Sequence, residues 1–129
     1  MVIKNNMIGN DSVSSAVSSK EYTIAIPAGA NTRYSDCLCT QGLPRIAIQC
    51  ESLDNTVQIV TINVQGAISQ QAVGGDPKWF DLNPQLALLM STNNTVYANY
   101  NIAVEYVRIE ASIAGGVGAN LLVRVCASQ

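Results

Sequence analysis

Along most of this chain apolar and polar residues alternate with a period of two, as strands with one buried face do. Residues 21–26 place Tyr22, Ile24 and Ile26 on one side, and Pro27-Ala28-Gly29 ends the run. Residues 45–52 set Ile46, Ile48 and Cys50 against Arg45, Ala47, Gln49 and Glu51. After the turn signal Asp54-Asn55, residues 57–64 set Val57, Ile59, Thr61 and Asn63 against Gln58, Val60, Ile62 and Val64. Both faces of that run are partly apolar, which predicts a strand in the middle of a sheet or beneath a partner.

The middle of the chain is looser. Gly74-Gly75-Asp76-Pro77 reads as a loop, residues 78–82 as a short aromatic strand, and residues 85–90 as the one stretch that admits a helix. Residues 91–94 form a turn cluster, and Thr95-Val96-Tyr97 opens a further strand. Between residues 101 and 114 the alternation changes phase at Tyr106 and Val107, which predicts one long strand carrying a β-bulge. Gly115-Gly116-Val117-Gly118 reads as a hairpin connection to a closing strand, where Leu121, Val123 and Val125 alternate with Leu122, Arg124 and Cys126. Seven or eight short strands with almost no helix predict an all-β, antiparallel β-sandwich of jelly-roll-like form over residues 21–129.

Residues 1–20 differ in kind. Five serines are interspersed with small apolar residues, and no aromatic residue occurs before Tyr22. This composition predicts an extended or disordered N-terminal arm, with Met1, Val2, Ile3, Met7 and Ile8 as apolar spots able to dock on a partner.

Composition narrows the function. The 129 residues are 48% hydrophobic but only 12% charged, half the usual charged share, so burial against partner subunits is expected. The seven Lys and Arg residues are scattered, which predicts no nucleic-acid and no anionic-membrane footprint. No apolar run has the length of a membrane helix, and the N-terminus lacks the apolar core of a secretory signal. A reducing cytoplasm is therefore expected, with Cys37, Cys39, Cys50 and Cys126 as buried free thiols.

The absence of histidine removes the commonest general base, the usual nucleophile pairs and most zinc sites. No catalytic residue, no metal site and no cofactor is expected. The carboxylates Glu105, Glu110, Asp76 and Asp81 read as solvated or turn residues. Trp79 and Phe80, the only Trp and the only Phe, have two readings: a ring pair that stacks on a sugar, or a plug in one end of the core. Arg108, in the middle of the long strand, calls for a carboxylate partner, with Glu51 and Asp81 as candidates.

Several short motifs resemble small β-sandwich proteins of tailed-phage virions. They are residues 22–29 (YTIAIPAG), Trp79-Phe80-Asp81-Leu82, Tyr106-Val107-Arg108-Ile109 and the closing Leu-Val-Arg-Val strand. The chain departs from that pattern before Trp79, where Gly74-Gly75-Asp76-Pro77 replaces a Ser-x-Asp-Gly turn. The resemblance implies a non-enzymatic virion subunit: a decoration or cement protein on the major capsid protein shell, or a head, neck or tail-associated subunit. It further implies a homo-oligomer, with a trimer favoured, assembled in the host cytoplasm. A carbohydrate-binding module is the competing reading, carried by Trp79.

Overall fold

The computed structural model describes residues 17–68, 78–114 and 117–129. The apolar spots at residues 1–8 and the loop at residues 74–77 lie outside them. Nine strands are present among the described residues: β1 (Val17–Ile26), β2 (Thr32–Tyr34), β3 (Leu38–Cys39), β4 (Arg45–Ser52), β5 (Ile59–Ala67), β6 (Phe80–Leu89), β7 (Thr95–Asn101), β8 (Tyr106–Ile113) and β9 (Ala119–Ser128). β1 takes in residues 17–20, which the serine-rich composition had assigned to the arm. Their pairing with residues 125–128 of β9 supplies the backbone partners that their side chains do not advertise.

The strands form two antiparallel sheets, ordered β1-β9-β4-β7 and β2-β8-β5-β6, with β3 also paired to β8. The pairs are nested. β5 pairs β6 innermost, β4 pairs β7 around them, β2 and β3 pair β8, and β1 pairs β9 outermost. A long double ribbon of this kind, rolled so that successive pairs change sheet, is the jelly roll. Its core is aliphatic: Ile46, Ile48, Val60, Ile62, Leu88, Ile109, Leu121 and Val123 are fully buried between the sheets.

The inward faces of β1, β4, β8 and β9 are those that the alternation predicts. Three expectations are corrected. Residues 85–90 are not helical; residues 85–89 belong to β6, whose register shifts against β5 between Ile62 and Val64, with Pro84 tolerated because β6 is a sheet edge. Residues 101–114 are not one bulged strand. β7 ends in the first sheet and β8 begins in the second, so the change of phase marks a change of sheet. For the same reason the connection from β8 to β9 crosses between sheets instead of closing a hairpin.

The rolled ribbon gathers its connections at two ends. At the upper end the β1–β2, β4–β5, β6–β7 and β8–β9 connections meet. Leu53 N donates to Asn120 O at 3.0 Å, Thr56 N to Met90 O at 2.6 Å, and Ile113 N to Asn31 O at 2.9 Å. At the lower end Ile102 N donates to Pro44 O at 2.9 Å and Thr40 N to Glu105 O at 2.8 Å. Tyr100 Oη, on the edge strand of the first sheet, donates to Pro84 O at 2.7 Å on the edge strand of the second and fastens that side.

The four cysteines are unbridged. Cys50 is buried, but Cys37 and Cys39 are exposed and Cys126 is half-buried, so the expectation of buried thiols holds for Cys50 alone. Cys39 lies in the two-residue strand β3 and Cys37 just before it; Leu38 and Thr40 take the inward face there, so the alternation turns both cysteines to solvent.

Burial pushes the Cys50 thiol from 9.0 up to about 12. It pushes the Tyr22 hydroxyl, which has no hydrogen-bond partner among the described residues, from 10.0 up to about 12, with the nearby Asp36 and Cys37 adding to the shift. Both folded-state values are raised, so the stability these neutral groups contribute is fully present below pH 9 and is lost as pH rises toward 12. Urea midpoints are expected to be level from neutral pH to pH 9 and to fall beyond it, Cys50 alone contributing about 1.4 kcal/mol per pH unit. In Cys50→Ala the fall begins nearer pH 10, set by Tyr22.

Candidate functional site

The surface has three distinct regions: the upper end and the outer faces of the two sheets. The upper end presents large apolar side chains among polar turn residues such as Asp54, Asn55, Thr92 and Asn93. Val57 is 93% exposed in the β4–β5 connection and Val117 is 74% exposed in the β8–β9 connection. Leu53, Ile59 and Leu89 are about half exposed beside them, and Ile59 and Leu89 are direct cross-strand partners. A hollow of about 450 Å³ opens between residues 25–28, 54–56 and 117–120. The backbone beneath is held firmly. Asn120 N donates to Asp54 Oδ2 at 2.7 Å, Asp54 N to Ser52 Oγ at 3.2 Å, and Gln58 Nε2 to Gly118 O. Exposed valines on anchored loops offer a partner apolar area at little cost in ordering.

The outer face of the second sheet is polar and ordered. In one row Tyr34 Oη donates to Glu110 Oε2 at 3.0 Å, Asn63 Nδ2 to Glu110 Oε1 at 2.9 Å, and Gln85 Nε2 to Asn63 Oδ1 at 2.8 Å. That chain of bonds crosses β2, β8, β5 and β6, four of the five strands of the sheet. In the next row Arg108 Nε donates to Gln65 Oε1 at 2.8 Å and Gln65 Nε2 to Asp81 Oδ1 at 2.9 Å. The Arg108 guanidinium lies 4.2 Å from the centre of the Tyr34 ring and 4.4 Å from that of Trp79, within cation–π range of both. Donation to Glu110, and that carboxylate's charge, raise the Tyr34 hydroxyl above its ordinary value of 10.0.

These placements sort the residues singled out from sequence. Trp79 is half-buried against Arg108 on the outside of the sheet, and Phe80 is 37% exposed. Neither belongs to the core cluster, so the plug reading is set aside. The register gives the reason: Trp79 shares the outward parity of Asp81, which is opposite Gln65, while Phe80 shares the parity of buried Leu82 but stands at the end of an edge strand, where it stays exposed. Arg108 reaches Asp81 through Gln65, whereas Glu51 lies on the other sheet and pairs with Arg124 at 3.3 Å. Glu110 is a hub of the polar row and not merely a solvated residue. Tyr34, Asn63 and Gln65 were not singled out, because only the pairing of β2, β8 and β5 brings them beside Arg108.

The outer face of the first sheet carries Arg124 between Glu21 at 2.8 Å and Glu51, both pairs partly exposed and so weak. A row of small side chains, Ser19, Cys126 and Ala47, lies beside them and floors an open trough of about 650 Å³, walled on one side by the exposed Tyr97. Among the described residues no three His, Cys, Asp or Glu side chains lie close enough to hold a metal ion, and no helix is long and apolar enough to cross a membrane.

No protein-family model matches the chain, and no curated protein matches it either. Solved structures similar to it include three of low identity. The Yersinia pseudotuberculosis-derived mitogen is 11% identical, covers 83% of each chain and has a TM-score of 0.48. The SPBc2 prophage-derived protein YomS is 12% identical over 92% of this chain and 100% of that one, with a TM-score of 0.47. The BFDV capsid protein is 6% identical over 89% of this chain and 96% of that one, with a TM-score of 0.49.

Proposed function

We propose that this protein is a non-enzymatic structural subunit of a tailed-phage virion, a decoration or cement protein that binds the shell of the major capsid protein. The observation that carries the reading is the upper end, where Val57 and Val117 stand almost bare on anchored loops beside an open hollow. Large apolar side chains this exposed, on loops already held in place, suit burial against a partner. The jelly roll is a recurrent architecture of capsid domains, which agrees with the reading without singling out a position on the particle. Low charge leaves the rest of the surface compatible with close packing among subunits.

In this account the protein assembles as a closed homo-oligomer, a trimer by preference, and closure covers apolar surface that would otherwise drive open-ended association. The apolar spots Met1, Val2, Ile3, Met7 and Ile8 serve as a tether to the neighbouring capsid subunit and add avidity. Light scattering coupled to size exclusion tests the assembly. The parent chain is expected to run as a discrete oligomer whose urea midpoint rises with protein concentration, and Val57→Asp with Val117→Asp as a folded monomer whose midpoint does not, because neither valine packs in the core. A parent that is a monodisperse monomer and has no affinity for any capsid shell contradicts the proposal.

A further inference from the structure

We infer that the outer face of the second sheet is a binding site for a neutral saccharide, in which Arg108 and Asp81 take a pair of adjacent hydroxyls while Trp79 and Tyr34 pack on the sugar ring. The inference rests on the polar rows and not on the apolar end, so it stands apart from the assembly reading.

Order on this face is the first reason. Long polar side chains on a solvent-facing sheet ordinarily keep their rotamer freedom, yet here five hydrogen bonds lock them in two adjacent rows. The Arg108 guanidinium lies within cation–π range of both aromatic rings and so links the three side chains. A face already ordered in this way gives up little further entropy when a ligand binds.

The open valences are the second reason. Gln65 occupies one oxygen of Asp81, and the other has no hydrogen-bond partner among the described residues. It takes the Nε hydrogen of Arg108, whose terminal nitrogens have no hydrogen-bond partner among the described residues. An outward acceptor and an outward donor, both bonded to the same glutamine, match a vicinal diol, since each hydroxyl can donate one bond and accept another. The rings match as well: the CH-rich face of a pyranose packs on an aromatic surface, and Tyr34 remains half exposed.

Charge decides the class of sugar. The two rows contain one guanidinium against the carboxylates of Asp81 and Glu110, so the face is on balance negative. Phosphate, sulfated glycans and uronic acids are disfavoured there, and a neutral saccharide is not.

Trp79 is the only tryptophan, so its emission reports on this face alone. The full chain is titrated with maltohexaose, cellohexaose, mannohexaose and N-acetylchitohexaose, each to about 20 mM, well past the roughly millimolar affinity that a few such contacts supply. Hexagalacturonate and inorganic phosphate are titrated alongside. At least one neutral hexasaccharide is expected to give a saturable change in emission. Tyr34→Ala and the near-isosteric Asp81→Asn should each weaken it about tenfold while melting as the parent does, and Tyr97→Ala, on the other sheet, should leave it unchanged. The inference is overturned if no neutral sugar saturates, if only hexagalacturonate or phosphate binds, or if the Tyr34 and Asp81 variants bind as the parent does.

Discussion

Gly118→Ala is expected to destabilise the protein by about 3 kcal/mol or more, read as a lowered urea midpoint with an unchanged slope. Two effects add. Gly118 has φ +83°, a conformation that costs an L-residue about 1–2 kcal/mol. A Cβ there would also lie 2.8 Å from Ile26 O and 3.1 Å from Ala28 N, both backbone atoms that cannot swing aside. Relief requires the β1–β2 corner to move, and that corner and the β8–β9 connection face one another across the upper hollow. Gly29→Ala supplies the contrast. Its φ of +88° carries the same conformational cost, but its Cβ would meet nothing within 4 Å, so the loss should stay near 1–2 kcal/mol. Equal losses at the two sites would show that packing at the corner contributes nothing.

Leu121→Ala is expected to cost about 2–5 kcal/mol, the range for a fully buried leucine that leaves a cavity. Leu121 sits on β9 with β1 on one side and β4 on the other, opposite Ile24 and Ser52, so its neighbours are fixed by two ladders and have little room to collapse. The adjacent Leu122 faces outward and is half-buried, and Leu122→Ala should cost under about 1 kcal/mol. Thermal or urea unfolding of the two variants reads the alternation directly. Similar losses would mean that the assigned faces of β9 are wrong.

The alternating strands were legible because each has one buried face, and the parity of Ile46, Ile48 and Cys50, or of Leu121, Val123 and Val125, is dictated by that face. The failures share one cause. Parity within a strand says nothing about which sheet the strand joins, so the passage from β7 to β8 looks in sequence like a bulge, and that from β8 to β9 like a hairpin. Gln85-Leu86-Ala87-Leu88-Leu89 has strong helix formers, and pairing with β5 overrides that preference. β2 and β3, at three and two residues, are too short to show any period and exist because β8 offers them an edge.

The surface features were legible only in part. Arg108 stood out as a charge in an apolar strand, and Trp79 as the only tryptophan. Their contact depends on β8 and the start of β6 lying one strand apart across β5, a fact of topology that no local pattern encodes. Val57 and Ile59 carried a signal that was read correctly in kind, since a strand with two apolar faces implied either a central place in a sheet or a covering partner. β5 is central, and Val57 and Ile59 are nevertheless left bare.

Amide hydrogen exchange compared between dilute and concentrated protein tests most directly whether these bare side chains form an assembly face. If the upper end is the assembly face, protection should rise on concentration in the connections at residues 53–58, 90–94 and 117–118, and stay constant along β7 and on the outer face of the second sheet. Protection that rises along the β7 edge instead, or nowhere at any concentration, would contradict the claim that this protein builds a particle through its apolar end.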